Sequence, residues 1–294
     1  MDRDVATPDV SLLVIVRGRA EHLRRLVDGT NRAEPKPREI VVVHMGEPET
    51  EGLESDIPVR RFRLEVPDGG TLPLAAARNL AAREATGGFL VFLDVDCIPA
   101  RCMFGELLRD AESVGGIAMA TPRYLRGPLA PDEPVDDALL HGASVPHHTR
   151  AALGAAGAVQ ASTRYEMFWT LGFAVAAGDF GRIGGFDESF AGYGAEDTDF
   201  AFTARRLGVP LAFSRATIYH QHHGSHRPPL NHFADIVANA GAFRDKWGTW
   251  PMEGWLEAFA QLGLVEWTPS ATSIRALRRP TDDEVAAAAH EGAY

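Results

Sequence analysis

FLVFLDVDCIP, residues 89–99, runs from five apolar residues straight into two aspartates, Asp94 and Asp96. The apolar run has no polar alternation, which is typical of a strand covered on both faces of a sheet. The aspartates would follow this strand at its carboxyl end, where open α/β sheets bind their ligands. The segment therefore predicts a buried strand that carries two carboxylates to a ligand site.

Apolar runs of the same kind precede this strand and alternate with helical patterns. Residues 10–16 and 40–44 predict buried strands and residues 59–64 a weaker one, whereas residues 21–30 and 74–85 predict helices. Such alternation is typical of an α/β fold, with a mostly parallel central sheet and flanking helices on both faces.

The periodicity is weaker in the second half of the chain. Residues 121–165 are rich in Pro, Gly, Asp and His and predict a long loop of the functional or mobile kind. Residues 197–207 predict a helix and residues 211–219 a last strand. Beyond His226 we expect a helical C-terminal appendage with four tryptophans as packing anchors: Trp247, Trp250, Trp255 and Trp267.

Composition excludes some classes of protein. A formal net charge of −11 disfavours a nucleic-acid partner, because phosphate backbones recruit basic surfaces. Two cysteines suit a reducing compartment and do not complete a zinc site. The first ten residues do not resemble a signal peptide, and no apolar run approaches the ~20 residues that span a bilayer. We therefore expect a cytoplasmic protein without a transmembrane segment, with peripheral membrane contact left open.

The two aspartates favour a divalent metal ion. Residues two apart in an extended segment point to the same side, so Asp94 and Asp96 would repel each other without protons or a cation. Mn²⁺ or Mg²⁺ would relieve that repulsion and could bridge to phosphate oxygens. Turn capping is the alternative for a D-x-D triplet on its own.

Two further segments carry candidate polar groups. GGFDESFAGYGAEDTDFAFTARRLG, residues 184–208, places Glu196 and Asp197 after a glycine-rich turn, although acids at a helix start also serve as caps. IYHQHHGSH, residues 218–226, follows the last strand. In an extended chain its His220 and His222 would share a face, so either or both could reach a metal; solvated loop histidines are the alternative.

Together with VIVRGRAEHL (14–23) and ARNLAAREATGGFLVFLDVDCIP (77–99), these two segments resemble, in this order, the GT-A fold glycosyltransferases. The sequence is most similar to β-1,4-galactosyltransferases, to the catalytic domains of polypeptide N-acetylgalactosaminyltransferases and to their bacterial relatives. The resemblance covers residues 10–230. It implies a metal-dependent, inverting glycosyltransferase that moves a hexose from a nucleotide diphosphate sugar to an acceptor hydroxyl. The implied hexose is of the galactose, glucose or N-acetylhexosamine type, and the expected donor is a UDP-sugar. The implied acceptor is a saccharide, a lipid-linked molecule or a small molecule.

The resemblance also implies roles for single residues. Asp197 would be the general base, with Glu196 beside it. Tyr193, which takes the place of a tryptophan, and Gly194 would bind the acceptor. The implied donor and metal residues are Arg17, Arg19, Arg78 and Asn79 for the nucleotide, Asp94 and Asp96 for nucleotide and Mn²⁺ (or Mg²⁺), and His220 or His222 to complete the metal site.

These assignments divide the chain into a GT-A catalytic domain over residues 1–228 and the helical appendage over residues 229–294. The nucleotide and metal part would cover about 10–120 and the acceptor part about 165–228. Two alternatives remain. A nucleotidyltransferase usually carries a lysine in the loop after its first strand, which VIVRGRAEHL lacks, and a catalytically inactive sugar-nucleotide binding protein would be expected to lose an acidic site residue.

Overall fold

The computed structural model describes residues 8–67, 69–130, 133–147, 149–150 and 159–291. Strands and helices alternate at the start of the chain, and each boundary lies within one residue of the prediction. The elements are β1 (Val10–Val16), α1 (Ala20–Asn31), β2 (Glu39–Met45), β3 (Val59–Leu64), α2 (Leu74–Glu84) and β4 (Phe89–Leu93).

The middle of the chain has more regular structure than the sequence pattern indicates. Its elements are β5 (Cys97–Pro99), α3 (Met103–Val114), β6 (Ile117–Leu125), α4 (Asp137–Ala143), β7 (Ser144–Pro146), β8 (Gln160–Ser162), β9 (Gly172–Ala176), α5 (Ala177–Ile183), α6 (Glu196–Arg206) and β10 (Leu211–His220). The long loop predicted over residues 121–165 is therefore wrong in part. Helices and strands of three to seven residues are too short to show a clear hydrophobic period. One of them, α4, is stabilised by Asp136, whose side chain accepts hydrogen bonds from two backbone amides of the helix. Residues 131–132, 148 and 151–158 of that segment lie outside the described residues.

One sheet organises these strands in the order β3-β2-β1-β4-β9-β6-β10-β5, with β7 beside β6 and β8 beside β10. From β3 to β10 along this order, only β9 runs against the others. The prediction of an α/β fold with a mostly parallel sheet is confirmed. Because β1, β4, β6 and β10 share a direction, their carboxyl ends meet at one edge of the sheet.

Both faces of the sheet are covered. Leu12 and Val14 of β1 pack on the face with α1 and α3, whereas Leu13 and Ile15 pack on the face with α2, α5 and α6. This explains why the strand sequence lacks polar alternation. On the second face, phenylalanine rings join β4, β9 and α6 to the glycine-rich turn, with ring centroids of Phe186 and Phe200 4.6 Å apart.

Residues after β10 form a C-terminal unit with its own core. It contains β11 (Ser225–His226), α7 (Phe233–Trp247), α8 (Glu253–Gln261), β12 (Val265–Glu266), β13 (Arg275–Ala276), α9 (Asp282–Ala287) and β14 (Ala289–His290). The unit is not purely helical, because β11 pairs with β14 and β12 with β13.

The predicted tryptophan anchors divide into three kinds. Trp250 and Trp267 are buried in the core of the C-terminal unit. Trp247 joins that unit to the main body, since its indole N–H donates to Asp199 of α6 at 2.7 Å. Trp255 is half-buried. Among the described residues, no helix combines the length and apolar character needed to cross a bilayer. The domain boundary at residue 228 stays a prediction.

Candidate active site

Side chains from three strand ends converge at the shared edge of the sheet. Arg19 follows β1, Asp96 follows β4 and His220 ends β10. The Asp96 carboxylate lies 3.2 Å from Arg19 Nη1 and 3.7 Å from His220 Nε2. The structure thus brings together two residues, Asp96 and His220, that are far apart in sequence and that the metal prediction requires to be close.

His223 joins this pair. The ligand atoms of Asp96, His220 and His223 all lie within 4.8 Å of one another. His223 Nδ1 is 2.9 Å from the Gly224 carbonyl, which only accepts hydrogen bonds, so we assign the ring proton to Nδ1. The other ring nitrogen, Nε2, is buried and lies 3.2 Å from an Asp96 carboxylate oxygen. Three potential ligand atoms this close together form a candidate cation site.

The grouping differs from the sequence expectation at His222, whose Nε2 lies 2.6 Å from the Glu291 carbonyl instead. The expectation assumed an extended chain after residue 220. The strand ends at His220, however, and Gln221 donates its backbone N–H to the Asp96 carbonyl at 2.6 Å. The chain turns at this hydrogen bond, and His223 consequently returns toward Asp96.

The two aspartates also diverge. Cys97 donates its backbone N–H to the Asp94 carbonyl at 2.9 Å, so the segment forms a turn where we expected an extended chain. Asp94 consequently faces Arg78, with Oδ1 3.4 Å from Nη2, while Asp96 faces the histidines. Of the two aspartates, Asp96 is the one that lies with His220 and His223. Direct metal ligation by Asp94 stays a prediction.

The pKa values of this cluster suit a metal site. Burial raises the pKa of Asp94 to about 6. Burial acts in the same direction on Asp96, but His220, His223 and Arg19 outweigh it and hold its pKa below the usual range. Burial lowers the pKa of His220 to about 4, so its imidazole is neutral at pH 7. A neutral imidazole beside an ionised carboxylate is the state that binds a metal.

Arg78 connects the metal side to the second acidic cluster. Its guanidinium is 5% exposed and donates to Glu196 Oε1 at 3.0 Å and to Thr170 Oγ1 at 2.9 Å, besides its contact with Asp94. The resemblance assigned Arg78 to the nucleotide. The structure makes it a buried bridge between two carboxylates, and its nucleotide contact stays a prediction, as does that of exposed Arg17.

Asn79 braces the glycine-rich turn. Its amide donates to the Phe186 carbonyl at 2.8 Å and accepts from the Phe186 N–H at 2.9 Å. Gly185 has φ +73°, and a Cβ there would lie 2.6 Å from Asn79 Oδ1. These contacts account for Asn79 as a structural residue, and a donor contact by it stays a prediction.

The turn delivers Glu196 and Asp197 to the start of α6. Ala195 has φ +72° and makes no side-chain cap, so the two acids open the helix at a strained position. Glu196 is buried, with one oxygen bonded to Arg78 and the other without a hydrogen-bond partner among the described residues. Burial, together with the charge of Glu196, raises the pKa of Asp197 to about 7. A carboxylate of that pKa can accept a proton near neutral pH.

Other predicted and unpredicted residues surround these groups. Tyr193 is 38% exposed, and Gly194 has φ +98° in the same turn. Asp199 accepts hydrogen bonds from Lys246 and from the Trp247 indole, so it stabilises the docking of α7. Sequence reasoning missed Tyr124, whose ring stacks on His220 at 4.5 Å; no sequence signal identified it.

Comparisons with known proteins point to glycosyltransferases. Residues 11–150 match the family Glycosyl transferase family 2, and residues 154–226 match the family described as N-terminal domain of galactosyltransferase. Validoxylamine A glucosyltransferases of Streptomyces hygroscopicus subsp. jinggangensis (strain 5008) and subsp. limoneus are each 30% identical over 157 residues. The similarity covers 48% of this chain and 37% and 35% of theirs, so the chain matches little more than a third of those relatives.

Solved structures share the fold at low identity. The crystal structure of S. aureus TarS 1-349 is 14% identical, with a TM-score of 0.54, over 80% of this chain and 65% of that one. The crystal structure of GalNAc-T7 with UDP, GalNAc and Mn²⁺ is 17% identical, with a TM-score of 0.51, over 72% and 43%. The two family matches, over residues 11–150 and 154–226, and this shared fold support a glycosyltransferase with the GT-A fold.

Proposed function

We propose that this chain is a metal-dependent, inverting glycosyltransferase that moves a hexose from a UDP-sugar to an acceptor hydroxyl. The observation that carries the proposal is the convergence of Asp96, His220 and His223, whose ligand atoms all lie within 4.8 Å of one another at the sheet edge that also bears Arg19. A site of this kind binds a cation and, through it, an anionic ligand.

The donor set favours Mn²⁺ over Mg²⁺. Two imidazoles beside one carboxylate do not suit Mg²⁺, which prefers oxygen ligands throughout, and the GalNAc-T7 structure contains Mn²⁺. Asp96, His220 and His223 would hold the ion, and its positive charge would stabilise the departing nucleoside diphosphate. Arg19, in contact with Asp96, adds a second positive charge at the same edge.

Asp197 is the proposed general base. Its carboxylate would accept the proton of the acceptor hydroxyl as that oxygen attacks the anomeric carbon and the bond to the diphosphate breaks. A single displacement inverts the anomeric configuration. Arg78 supports this arrangement, since it neutralises neighbouring Glu196 and thereby limits the repulsion that an ionised Asp197 experiences.

Glucose is the first donor sugar to test. The partial relatives are named for glucosyl transfer to validoxylamine A, and the GalNAc-T7 structure contains UDP, GalNAc and Mn²⁺. We therefore propose UDP-glucose as the first donor, with UDP-galactose and the UDP-N-acetylhexosamines as competitors. The first acceptors are validoxylamine A, glucose, N-acetylglucosamine, cellobiose and myo-inositol, called here the acceptor panel.

Release of nucleoside diphosphate tests the proposal. The purified chain should release UDP from at least one of these donors with Mn²⁺ and stop when EDTA is added. Asp96→Asn should slow release by about 10²–10³-fold, because the metal ion that would stabilise the developing charge loses a ligand. Asp56→Asn, an exposed residue paired with Lys36, is the matched control. UDP release that continues at the same rate in EDTA, or no release from any nucleotide sugar, would contradict the proposal.

A further inference from the structure

Gln221 directly follows the last residue of β10, His220, and is only 4% exposed. Its backbone N–H donates to the Asp96 carbonyl at 2.6 Å. Its side-chain Nε2 donates to the His22 carbonyl at 3.0 Å, across 199 positions of sequence. One buried residue therefore bonds the end of β10 to two other segments, the turn after β4 and the first turn of α1.

The sheet places these two segments in different ways. Asp96 lies beside the end of β10 because β5, which follows it, pairs with β10 through Cys97 and His220. The first turn of α1 follows β1, and three strands, β4, β9 and β6, separate β1 from β10 in the sheet. The Gln221 side chain therefore links two strand ends that are not neighbours in the sheet.

The first turn of α1 carries groups that contact the candidate metal site. Arg19 directly precedes the helix, and its Nη1 lies 3.2 Å from Asp96 Oδ2. The Arg19 carbonyl accepts the Leu23 N–H at 3.0 Å, so this arginine moves with the helix. The His22 ring meets the His223 ring edge-on, with centroids 6.1 Å apart. A shift of α1 relative to β10 would consequently change the contacts of both Asp96 and His223.

We propose that Gln221 is a positioning residue of the metal site. Its side-chain amide holds the first turn of α1 against the end of β10, and thereby keeps Arg19, Asp96 and His223 at the spacing that a cation requires. The inference rests on the proposed function in one respect, since it takes this cluster as an Mn²⁺ site. Outer contacts of this kind orient metal ligands, and their loss typically weakens metal binding about 10–100-fold.

Mn²⁺ affinity without any nucleotide tests this role. Gln221→Met keeps the length of the side chain and removes its donor, so Mn²⁺ binding should weaken about tenfold, the lower end of the range for outer contacts. Gln221→Asn keeps the amide but is one methylene too short for the His22 carbonyl, and should also bind Mn²⁺ more weakly. Electron paramagnetic resonance of free Mn²⁺ gives each affinity, and circular dichroism verifies that each variant is folded.

A matched control lies at the opposite end of β10. The Tyr165 hydroxyl donates to the Val209 carbonyl at 2.7 Å, two residues before that strand begins. Tyr165→Phe therefore also removes one hydrogen bond from a side chain to a backbone carbonyl, and its Tm should fall as that of Gln221→Met does. Its Mn²⁺ affinity should stay within about twofold of the unmodified chain, because distant sites act independently.

The outcomes separate the inference from the proposed function. Equal Mn²⁺ affinity of Gln221→Met and the unmodified chain overturns the inference, and so does an equal loss in Gln221→Met and Tyr165→Phe, which would mark a general effect of stability. Absence of Mn²⁺ binding to the unmodified chain overturns it as well. UDP release is a separate measurement, so the proposed function can fail while Gln221→Met still weakens Mn²⁺ binding, and it can hold while the two affinities are equal.

Discussion

The two sides of the candidate site are built in different ways. On the side of the proposed metal site, the metal side, Arg19 and Asp96 follow strands of one sheet and His220 ends another, so the sheet fixes where each of these segments begins. On the acceptor side, Glu196 and Asp197 follow a turn with several positive φ angles, which side chains from α2 and α7 brace. The comparison shows that one half depends on sheet topology and the other on distant side chains.

Arg78 is where the two sides meet. It contacts Asp94 on the metal side and Glu196 on the acceptor side from a buried position. A buried guanidinium between two carboxylates is stable only while all three keep their charges. For residues other than Arg78, we expect a substitution on the metal side to leave the acceptor KM largely unchanged, and one on the acceptor side to leave Mn²⁺ affinity largely unchanged.

Asp197, the proposed base, gives the largest expected effect on the acceptor side alone. Asp197→Asn should slow transfer about 10²–10⁴-fold while Mn²⁺ affinity stays unchanged, because a positioned base contributes rate but no metal contact. The pKa of Asp197 is raised to about 7, and the base must be ionised to act. The kcat/KM of the unmodified chain should therefore rise about tenfold per pH unit below pH 7 and level off above it.

Initial rates from about pH 5.5 to 8.5, with Mn²⁺ titrations alongside, check this prediction. The variant should lack the rise with pH, and Asp245→Asn, exposed on α7, should keep it. Near-normal turnover by Asp197→Asn would remove this residue from the role of base.

Arg78→Met breaks the bridge and should affect both sides together. The buried Glu196 carboxylate and the half-buried Asp94 carboxylate then lose their shared cation, so we expect the free energy of unfolding to fall by about 3–5 kcal/mol. Urea unfolding measures the loss, and Arg83→Met, exposed on the same helix, provides the reference. A loss below about 1 kcal/mol would mean that the carboxylates do not depend on Arg78.

The sequence predicted the strand ends better than the glycine-rich turn. The run before Asp94 marks a buried strand whose carboxyl end must lie at the ligand edge, and parallel order then brings Asp96 to His220. These steps need only periodicity and topology. The turn at Cys97, which separates Asp94 from Asp96, depends on one backbone hydrogen bond that no side-chain pattern encodes.

The acceptor side shows what sequence reasoning could not supply. Glycines and acids signalled the turn, but its braces, Asn79 and Asn239, come from helices far from it in the sequence, one before it and one after it. Neither asparagine stands in a pattern that distinguishes a brace from a surface amide. Contacts of this kind follow only from the packed structure, as does the placement of Trp255 beside Tyr193.

A pair of histidines tests the turn that ends β10. His223→Ala should weaken Mn²⁺ binding about 10–100-fold, whereas His222→Ala should leave the affinity within about twofold. Of these two histidines, His223 faces Asp96 and His222 contacts the Glu291 carbonyl. Electron paramagnetic resonance of free Mn²⁺ gives both affinities without any turnover. A greater loss of Mn²⁺ affinity in His222→Ala than in His223→Ala would contradict the turn and favour the extended chain that the sequence predicted after His220.

Asn239→Ala gives the smallest expected effect and is the sharpest test of separable sides. Its amide serves the carbonyls of Ala191 and Gly194, and leaving these without a donor should cost about 1–3 kcal/mol of unfolding free energy. The acceptor KM should rise, because the turn that carries Tyr193 loses its brace, while Mn²⁺ affinity should not change. Asn231→Ala, an exposed amide just before α7, is the control. If Mn²⁺ affinity fell together with stability, the C-terminal unit would have to support the strand ends as well, and the acceptor side could not vary independently of the metal side.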